Sequence, residues 1–324
     1  RGTTFPALEP TSGCVNKRVK LKTSSELEKR SSMSSSLRQV PAIILDGQAL
    51  ADKVKKRVRD EIAELNIIPG LGTILVGNDP ASESYVGAKI RDCEEVGIQS
   101  IHRHLPGDIN SRDLIATINE FNNDDAIHAY IVQLPLPKQL NEEEALLAID
   151  PNKDADGLHP VNLGRLVMGV EGPVPCTPQG IQLLLEEYEV PVDGKHVVVI
   201  GRGLTIGRPM ALLMALKRKT ANAAVTVVHT GVADLAAHTK RADIIIAAAG
   251  VPNLVKPNMI QEGAAVIGGG ITRQGKRILS DVDESVAEKA GWVTPRLGGV
   301  GPMTRAMLLQ NTLDAAKRRR SEIK

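Results

Sequence analysis

Aromatic side chains are scarce: two Phe, one Trp and three Tyr, 2% of the 324 residues. Any core must therefore be aliphatic. With 42% hydrophobic residues and 29 Gly, the palette is that of buried parallel strands and close helix–sheet packing. Cysteine is nearly absent. Cys14, Cys93 and Cys176 lie far apart, which excludes a disulfide framework and a structural zinc and fits a reducing compartment. No apolar run approaches the length of a membrane span, so no membrane role is expected. A large excess of charge of one sign is missing too. Forty Lys and Arg face 38 Asp and Glu, for a net +2, and part of the basic excess sits at the ends. That argues against a broad nucleic-acid surface. The length itself points to two domains.

Residues 1–40 are basic, Ser-rich and acid-poor and show no sustained hydrophobic period. They read as a disordered leader or extension. One possibility is an organellar targeting peptide, for a plastid or mitochondrion. The plainer one is a non-native extension with Met33 as the true start, which leaves a cytoplasmic protein. Order begins at PAIILDG.

From there strands and helices alternate. Strands are expected at 42–45, 71–76, 99–105 and 129–134, and helices at 47–65, 79–98, 111–122 and 141–149. This order implies a mostly parallel sheet with helices on both faces. A connection dense in Pro, Gly, Asp and Asn follows, and reads as irregular until a helix at 180–188. A second α/β unit starts with HVVVI at 196–200, continues through a helix from about Pro209, strands at 224–228, 243–247, 264–267 and 292–294 and a helix at 234–240, and closes with a helix at 304–319. The fold class is α/β, in two α/β domains with a cleft between them.

Two stretches carry chemistry. The helix at 79–98 has Asp79 or Ser82 to cap its start, Pro80 at a first-turn position and Gly97 as its stop. Tyr85, Lys89 and Cys93 share one face at i, i+4, i+8. A lysine on a short helix is most often a solvated charge, so this face alone is weak. The second stretch is HVVVI-GRGLTIG. Strand, glycine loop and helix in that order form a dinucleotide site, with Gly201, Gly203 and Gly207 letting backbone approach a pyrophosphate at a helix N-terminus. The next strand ends VVHTG, with His229 and Thr230 where an NAD site usually places an acid. Arg202 lies in the loop and Arg208 near it. A base without the acid favours a 2′-phosphate, hence NADP.

Six motifs in order resemble one family, the bifunctional methylenetetrahydrofolate dehydrogenase/methenyltetrahydrofolate cyclohydrolases. They are Tyr85-Val-x-x-Lys89 with Cys93 and Gly97-Ile98, Val132-Gln-Leu-Pro-Leu-Pro137, Lys153-Asp-Ala-Asp-Gly157, Pro175-Cys-Thr-Pro178, Gly201-Arg202 with Gly207-x-Pro209, and Gly298-Gly-Val-Gly-Pro-Met-Thr304. The likeness spans residues 41–318. It implies oxidation of 5,10-methylenetetrahydrofolate with NADP and hydrolysis of the methenyl product to 10-formyltetrahydrofolate in one cleft. It further implies catalytic roles for Lys89, Tyr85, Gln133 and Asp156. Substrate contacts fall on these four and on Leu134, Pro295 and Gly299. Cofactor contacts fall on Gly201, Arg202, Gly203, Gly207, Thr230 and Ile271, with no metal. It implies a homodimer, a folate-binding domain of residues 41–161 completed by 304–318, and a Rossmann-type domain of residues 162–303.

Two departures stand out: Arg296-Leu297 where the family often has x-Pro, and Gly203 where it often has Ser. Other readings are an NADP-dependent dehydrogenase of the shikimate or amino-acid type, or a nucleotide-binding regulator without turnover. Neither would be expected to carry QLPLP, KDADG and GGVGPMT together.

Overall fold

The structure, a computed structural model, describes residues 41–275 and 277–322. The expectations for residues 1–40, Met33 and Cys14 included, lie outside them. Among the described residues no helix is long and apolar enough to cross a membrane.

The first half builds a three-stranded parallel sheet in the order β3-β2-β4. Its strands are β2 (Gly70–Val76), β3 (Gln99–Leu105) and β4 (Ala129–Val132). β2 is buried along its whole length, as a central parallel strand must be. Four helices accompany it: α1 (Gly47–Leu65), α2 (Pro80–Val96), α3 (Ser111–Asn123) and α4 (Glu142–Leu147). α1 is capped by Asp46, whose side chain accepts from the Ala49 amide, and it buries Leu50, Val54, Val58 and Ile62 at helical spacing.

The second half, joined at one edge by β1 (Ile43–Ile44) from the first, builds a six-stranded parallel sheet in the order β1-β11-β8-β7-β5-β6. Its central strands are β5 (His196–Ile200), β7 (Ile244–Ala247) and β8 (Ala265–Gly268). β6 (Ala224–Val228) forms one edge, and α7 (Gly207–Ala215) and α8 (Leu235–Thr239) are the connecting helices. β11 (Trp292–Val293) precedes a closing helix, α9 (Val300–Glu322). α9 runs back across the molecule to pack on α1 and on α6 (Cys176–Glu187).

Several expectations need correction. The strand expected at 42–45 is β1 (Ile43–Ile44), and it does not open the first sheet. It pairs in parallel with β11, Ile43 opposite Trp292 and Ile44 opposite Val293. A two-residue strand has no hydrophobic period of its own. Its place is set by distant partners, such as the Tyr188 hydroxyl that accepts from the Asp46 amide. The connection after residue 149 is not irregular throughout. It contains α5 (Pro160–Met168), opened by the His159 side chain, which accepts from the Val161 amide, and by Pro160 in the first turn. α6 starts at Cys176 rather than at 180, and α9 starts at Val300 rather than at 304. An antiparallel hairpin, β9 (Ile271–Gln274) and β10 (Arg277–Ser280), follows β8 and carries no signal in the sequence reading.

Candidate active site

The helix that bears the lysine forms as its ends dictate. Asp79 accepts from the Ser82 amide at 2.8 Å and from the Ser82 hydroxyl at 2.9 Å. Gly97 ends the helix in the left-handed conformation at φ 82°, which only glycine enters without strain. Tyr85 and Lys89, one turn apart, both line a cavity of about 460 Å³. Cys93, one turn further, is fully buried in the core, and burial pushes its thiol up to about 12. The shared face thus divides into two site residues and one packing residue.

Lys89 Nζ donates to Gln133 Oε1 at 3.0 Å. Gln133 follows directly on β4. Its own amide N–H donates to the Ile74 carbonyl, which continues the ladder, and its side-chain NH₂ donates to Leu134 O at 2.7 Å. The carboxamide is therefore held at both ends with its oxygen toward the lysine.

Burial is the largest influence on Lys89 and lowers its proton affinity. Asp156, Cys176 and Cys93 act the other way, and Arg305 adds to the lowering. The part of Lys89 that stays accessible belongs to the cavity wall. Asp156 shows the converse: burial raises its carboxyl, and Lys89 opposes that.

Two carboxylates alternate in Lys153-Asp-Ala-Asp-Gly157, and the fold separates their roles. Asp154 is buried and accepts from the Gly157 amide at 3.0 Å, the His159 amide at 2.8 Å and Asn162 Nδ2 at 2.9 Å. It is the turn residue. Asp156 is the one coupled electrostatically to the lysine.

The opposite wall comes from the second half. Gly268, Gly269 and Ile271 at the end of β8 and the start of the hairpin line the cavity, as do Pro295 and Gly299. Arg296 lines it too, on the same wall. Its Nε donates to Glu284 Oε1 at 2.9 Å and its Nη1 to the Ile278 carbonyl at 2.9 Å, so the loop at 295–299 is tied to the hairpin. Leu134 lies elsewhere. It lines a larger, more open groove of about 1210 Å³ together with Lys138, Glu142 and Arg208. The smaller cavity is the better candidate, because the amine, the amide and the phenol converge there.

The cofactor loop leaves β5 at Gly201, whose φ of 118° suits only glycine; a Cβ there would stand 2.2 Å from the Ala248 carbonyl oxygen. A Cβ on Gly207 would stand 2.3 Å from the Gly201 carbonyl oxygen, so the helix can start this close only with glycine. Gly203 has nothing within 4 Å of a built Cβ and leaves open space above the loop. The first turn of α7 has no side-chain cap; the Arg208 amide donates to the Gly203 carbonyl and Pro209 has no N–H, so the Gly207 amide at the helix start is the donor available to a pyrophosphate. Arg202 Nη1 lies 3.3 Å from His229 Nε2 at the end of β6, and Thr230 beside it is exposed. These residues fit a phosphorylated dinucleotide. Arg208 does not join this corner and faces the open groove instead.

The fold adds residues that sequence reasoning missed. Arg305, on α9, lines the cavity with Lys89, and its Nε donates to the buried Asp92 at 2.6 Å; Lys55 stands 3.5 Å from the same carboxylate. Thr177 and Thr304 join hydroxyls at 2.9 Å across α6 and α9, and both line the cavity. They sit in the PCTP and GPMT motifs, which was the available signal. Arg305 and Asp92 had none, since they pair 213 positions apart.

Comparison with known proteins agrees with this geometry. Residues 45–156 match the catalytic domain of the tetrahydrofolate dehydrogenase/cyclohydrolase family, and residues 175–320 match that family's NAD(P)-binding domain. The bifunctional protein FolD of Syntrophotalea carbinolica is 56% identical over 281 residues, which are 86% of this chain and 97% of that protein. The crystal structure of the bifunctional FolD from Campylobacter jejuni superposes with a TM-score of 0.82 at 44% identity, covering 86% of this chain and 99% of the other. The FolD of Trypanosoma brucei, solved with NADP and an inhibitor, gives 0.82 at 38% identity over the same shares. With an amine and an amide on the cavity wall, a carboxylate coupled to the amine, and a glycine-loop dinucleotide fold in the second half, the chain belongs to the tetrahydrofolate dehydrogenase/cyclohydrolase family.

Proposed function

We propose that this chain oxidises 5,10-methylenetetrahydrofolate with NADP and hydrolyses the methenyl product to 10-formyltetrahydrofolate, with Lys89 as the acid–base group. The observation that carries this reading is the desolvated Lys89 amine, held by Gln133 at 3.0 Å in a cavity whose far wall belongs to the nucleotide-binding half.

Bound on the Gly201–Gly207 loop, NADP supplies the hydride acceptor for the methylene carbon. The protein's part in that step is alignment and exclusion of water. Ile271 offers an apolar surface to the cofactor, and Tyr85 from one wall with Pro295 and Gly299 from the other contact the folate. Asp156 accepts from the paired N–H donors of a pterin ring.

Hydrolysis asks more of the side chains. A neutral Lys89 amine takes a proton from the water that attacks the methenyl carbon. The tetrahedral adduct then collapses: its carbon–N5 bond breaks, the ammonium returns a proton to N5, and the formyl group stays on N10. One water is consumed and one proton is released. A lysine of ordinary proton affinity is a poor base near neutral pH, so the lowering by burial favours this role. A cationic methenyl substrate acts in the same direction.

We further assign residues 41–161 with 304–318 to the folate side and 162–303 to the cofactor side. The packing of α9 on α1 supports the first grouping. We place the protein in a homodimer; β6 is an edge strand with Val227 exposed. We place it in the cytoplasm, or in an organelle where residues 1–40 serve as a targeting leader.

The test is an absorbance assay with 5,10-methylenetetrahydrofolate and NADP, followed by decay of the methenyl product. Lys89→Met is expected to lower the hydrolytic rate by about 10³-fold, within the usual range for a positioned acid–base group, and to impair the oxidation strongly. Near-normal hydrolysis in this variant would sink the assignment.

A further inference from the structure

Arg296 and Leu297 stand where the family often has x-Pro, and the reading above gives them no part in binding. Both line the cavity. Leu297 is 57% exposed, which places this stretch of wall at the mouth, whereas Lys89 stands at the desolvated end.

The charge of the lining is one-sided. Lys89, Arg296 and Arg305 line the cavity, and among the described residues no carboxylate does. The carboxylates that serve these cations lie outside the lining: Asp156 for Lys89, Asp92 for Arg305 and Glu284 for Arg296. A cleft lined by one sign of charge draws a ligand of the other sign. Arg305 acts at the inner end, where it lowers the proton affinity of Lys89. Arg296 is the cation of the mouth.

Its guanidinium is held but not saturated. Nε donates to Glu284 Oε1 and Nη1 to the Ile278 carbonyl, both at 2.9 Å. The N–H groups of Nη2 have no partner among the described residues. The Arg296 and Glu284 side chains are exposed, by 38% and 76%. Such a pair is weak, and a second carboxylate can share the guanidinium or displace Glu284 from it.

The proposed substrate carries the matching group. In a tetrahydrofolate the reacting carbon adjoins the pterin, an aminobenzoyl ring follows, and a glutamate with two carboxylates ends the molecule. With the reacting carbon at Lys89, the glutamate leaves through the mouth. There Leu297 offers an apolar side chain, and its neighbour Arg296 offers a planar fork that fits a carboxylate.

We propose that Arg296 anchors a carboxylate of the substrate's glutamate tail at the cavity mouth, with Leu297 against the aminobenzoyl ring, which makes Arg296 a specificity-determining residue for a charged folate tail. Glu284 both supports this guanidinium and competes for it. This inference rests on the folate reading above.

The experiment measures the KM of oxidation at saturating NADP for 5,10-methylenetetrahydrofolate and for its analogue with both glutamate carboxylates converted to primary amides. The ratio of the two values is taken within each variant, so a general disturbance of the loop raises both and leaves the ratio. In the native protein the diamide should have a KM about two- to fivefold higher, the range of an exposed charge pair. In Arg296→Ala the ratio should fall to near unity. Arg296→Lys keeps the charge without the fork and should keep part of the ratio. Glu284→Gln removes the competing charge. It should lower the KM for the acid by about twofold and leave that for the diamide. A native ratio of unity, or a ratio in Arg296→Ala equal to the native one, overturns the anchor and leaves the folate reading standing. A rise of both KM values in Glu284→Gln overturns it too, because it would mean that Arg296 only ties the loop. Failure of the native protein to oxidise 5,10-methylenetetrahydrofolate overturns the folate reading itself.

Discussion

The two walls of the site are built from different materials. On the proposed folate side, the residues assigned to function are side chains taken out of water. Lys89, Asp156 and Cys176 are desolvated together, and burial leads the shift of each. On the cofactor side, function rests on backbone. Gly201 and Gly207 allow approaches that any side chain would block, and a charged corner, exposed Arg202 beside half-buried His229, adjoins the loop. A buried amine can be tuned over a wide range because its charge is poorly solvated. An exposed corner is screened at a distance, so its charge acts only on a ligand group that the backbone brings into contact. The first wall should therefore respond to changes of charge, and the second to changes of shape.

The sharpest way to separate the walls is Gly201→Ala. An added Cβ meets the Ala248 carbonyl oxygen at 2.2 Å where φ is 118°. The loop must move, and a misplacement of about 1 Å costs on the order of 10²-fold in rate. Oxidation with NADP is expected to fall by about that much, while hydrolysis of added methenyltetrahydrofolate falls far less. Parallel assays of the two activities check this. Equal losses would mean that the walls are not separable.

A smaller effect is expected where the loop at 295–299 is tied to the hairpin within the second wall. Arg296 bonds the exposed Glu284 and the Ile278 carbonyl. An exposed ion pair contributes about 0–1 kcal/mol. Arg296→Ala should accordingly raise the KM for the folate only about two- to fivefold, with kcat little changed. Steady-state kinetics at low and high salt would show the native protein approaching the variant as salt rises.

Much of this plan was legible in the chain. The caps at Asp79 and Gly97, the HVVVI strand and its glycine loop are local signals, and local signals survive translation into structure. What was not legible is non-local. The two residues of β1 could join either sheet, and distant partners, β11 and Tyr188, decide. α5 hides in a stretch rich in Pro, Asn and Gly because nine residues are too few to show a period. Asp154 and Asp156 look alike in DAD, yet only the fold brings three donors to the first. Arg305 gains its place in the cavity wall from a carboxylate on another helix.

The central claim is that Lys89 works as an amine whose proton affinity its neighbours set. The pH profile of methenyl hydrolysis tests this most directly. The neutral amine is the base, so the rate should rise with pH along a limb centred below 10.5, the ordinary lysine value. Arg305 lowers the proton affinity of Lys89, so Arg305→Gln should raise that affinity and move the limb to higher pH. Asp156 raises it, so Asp156→Asn should move the limb to lower pH. Opposite displacements in the two variants are predicted. A limb that stays in place in both, or moves the same way in both, would contradict the account.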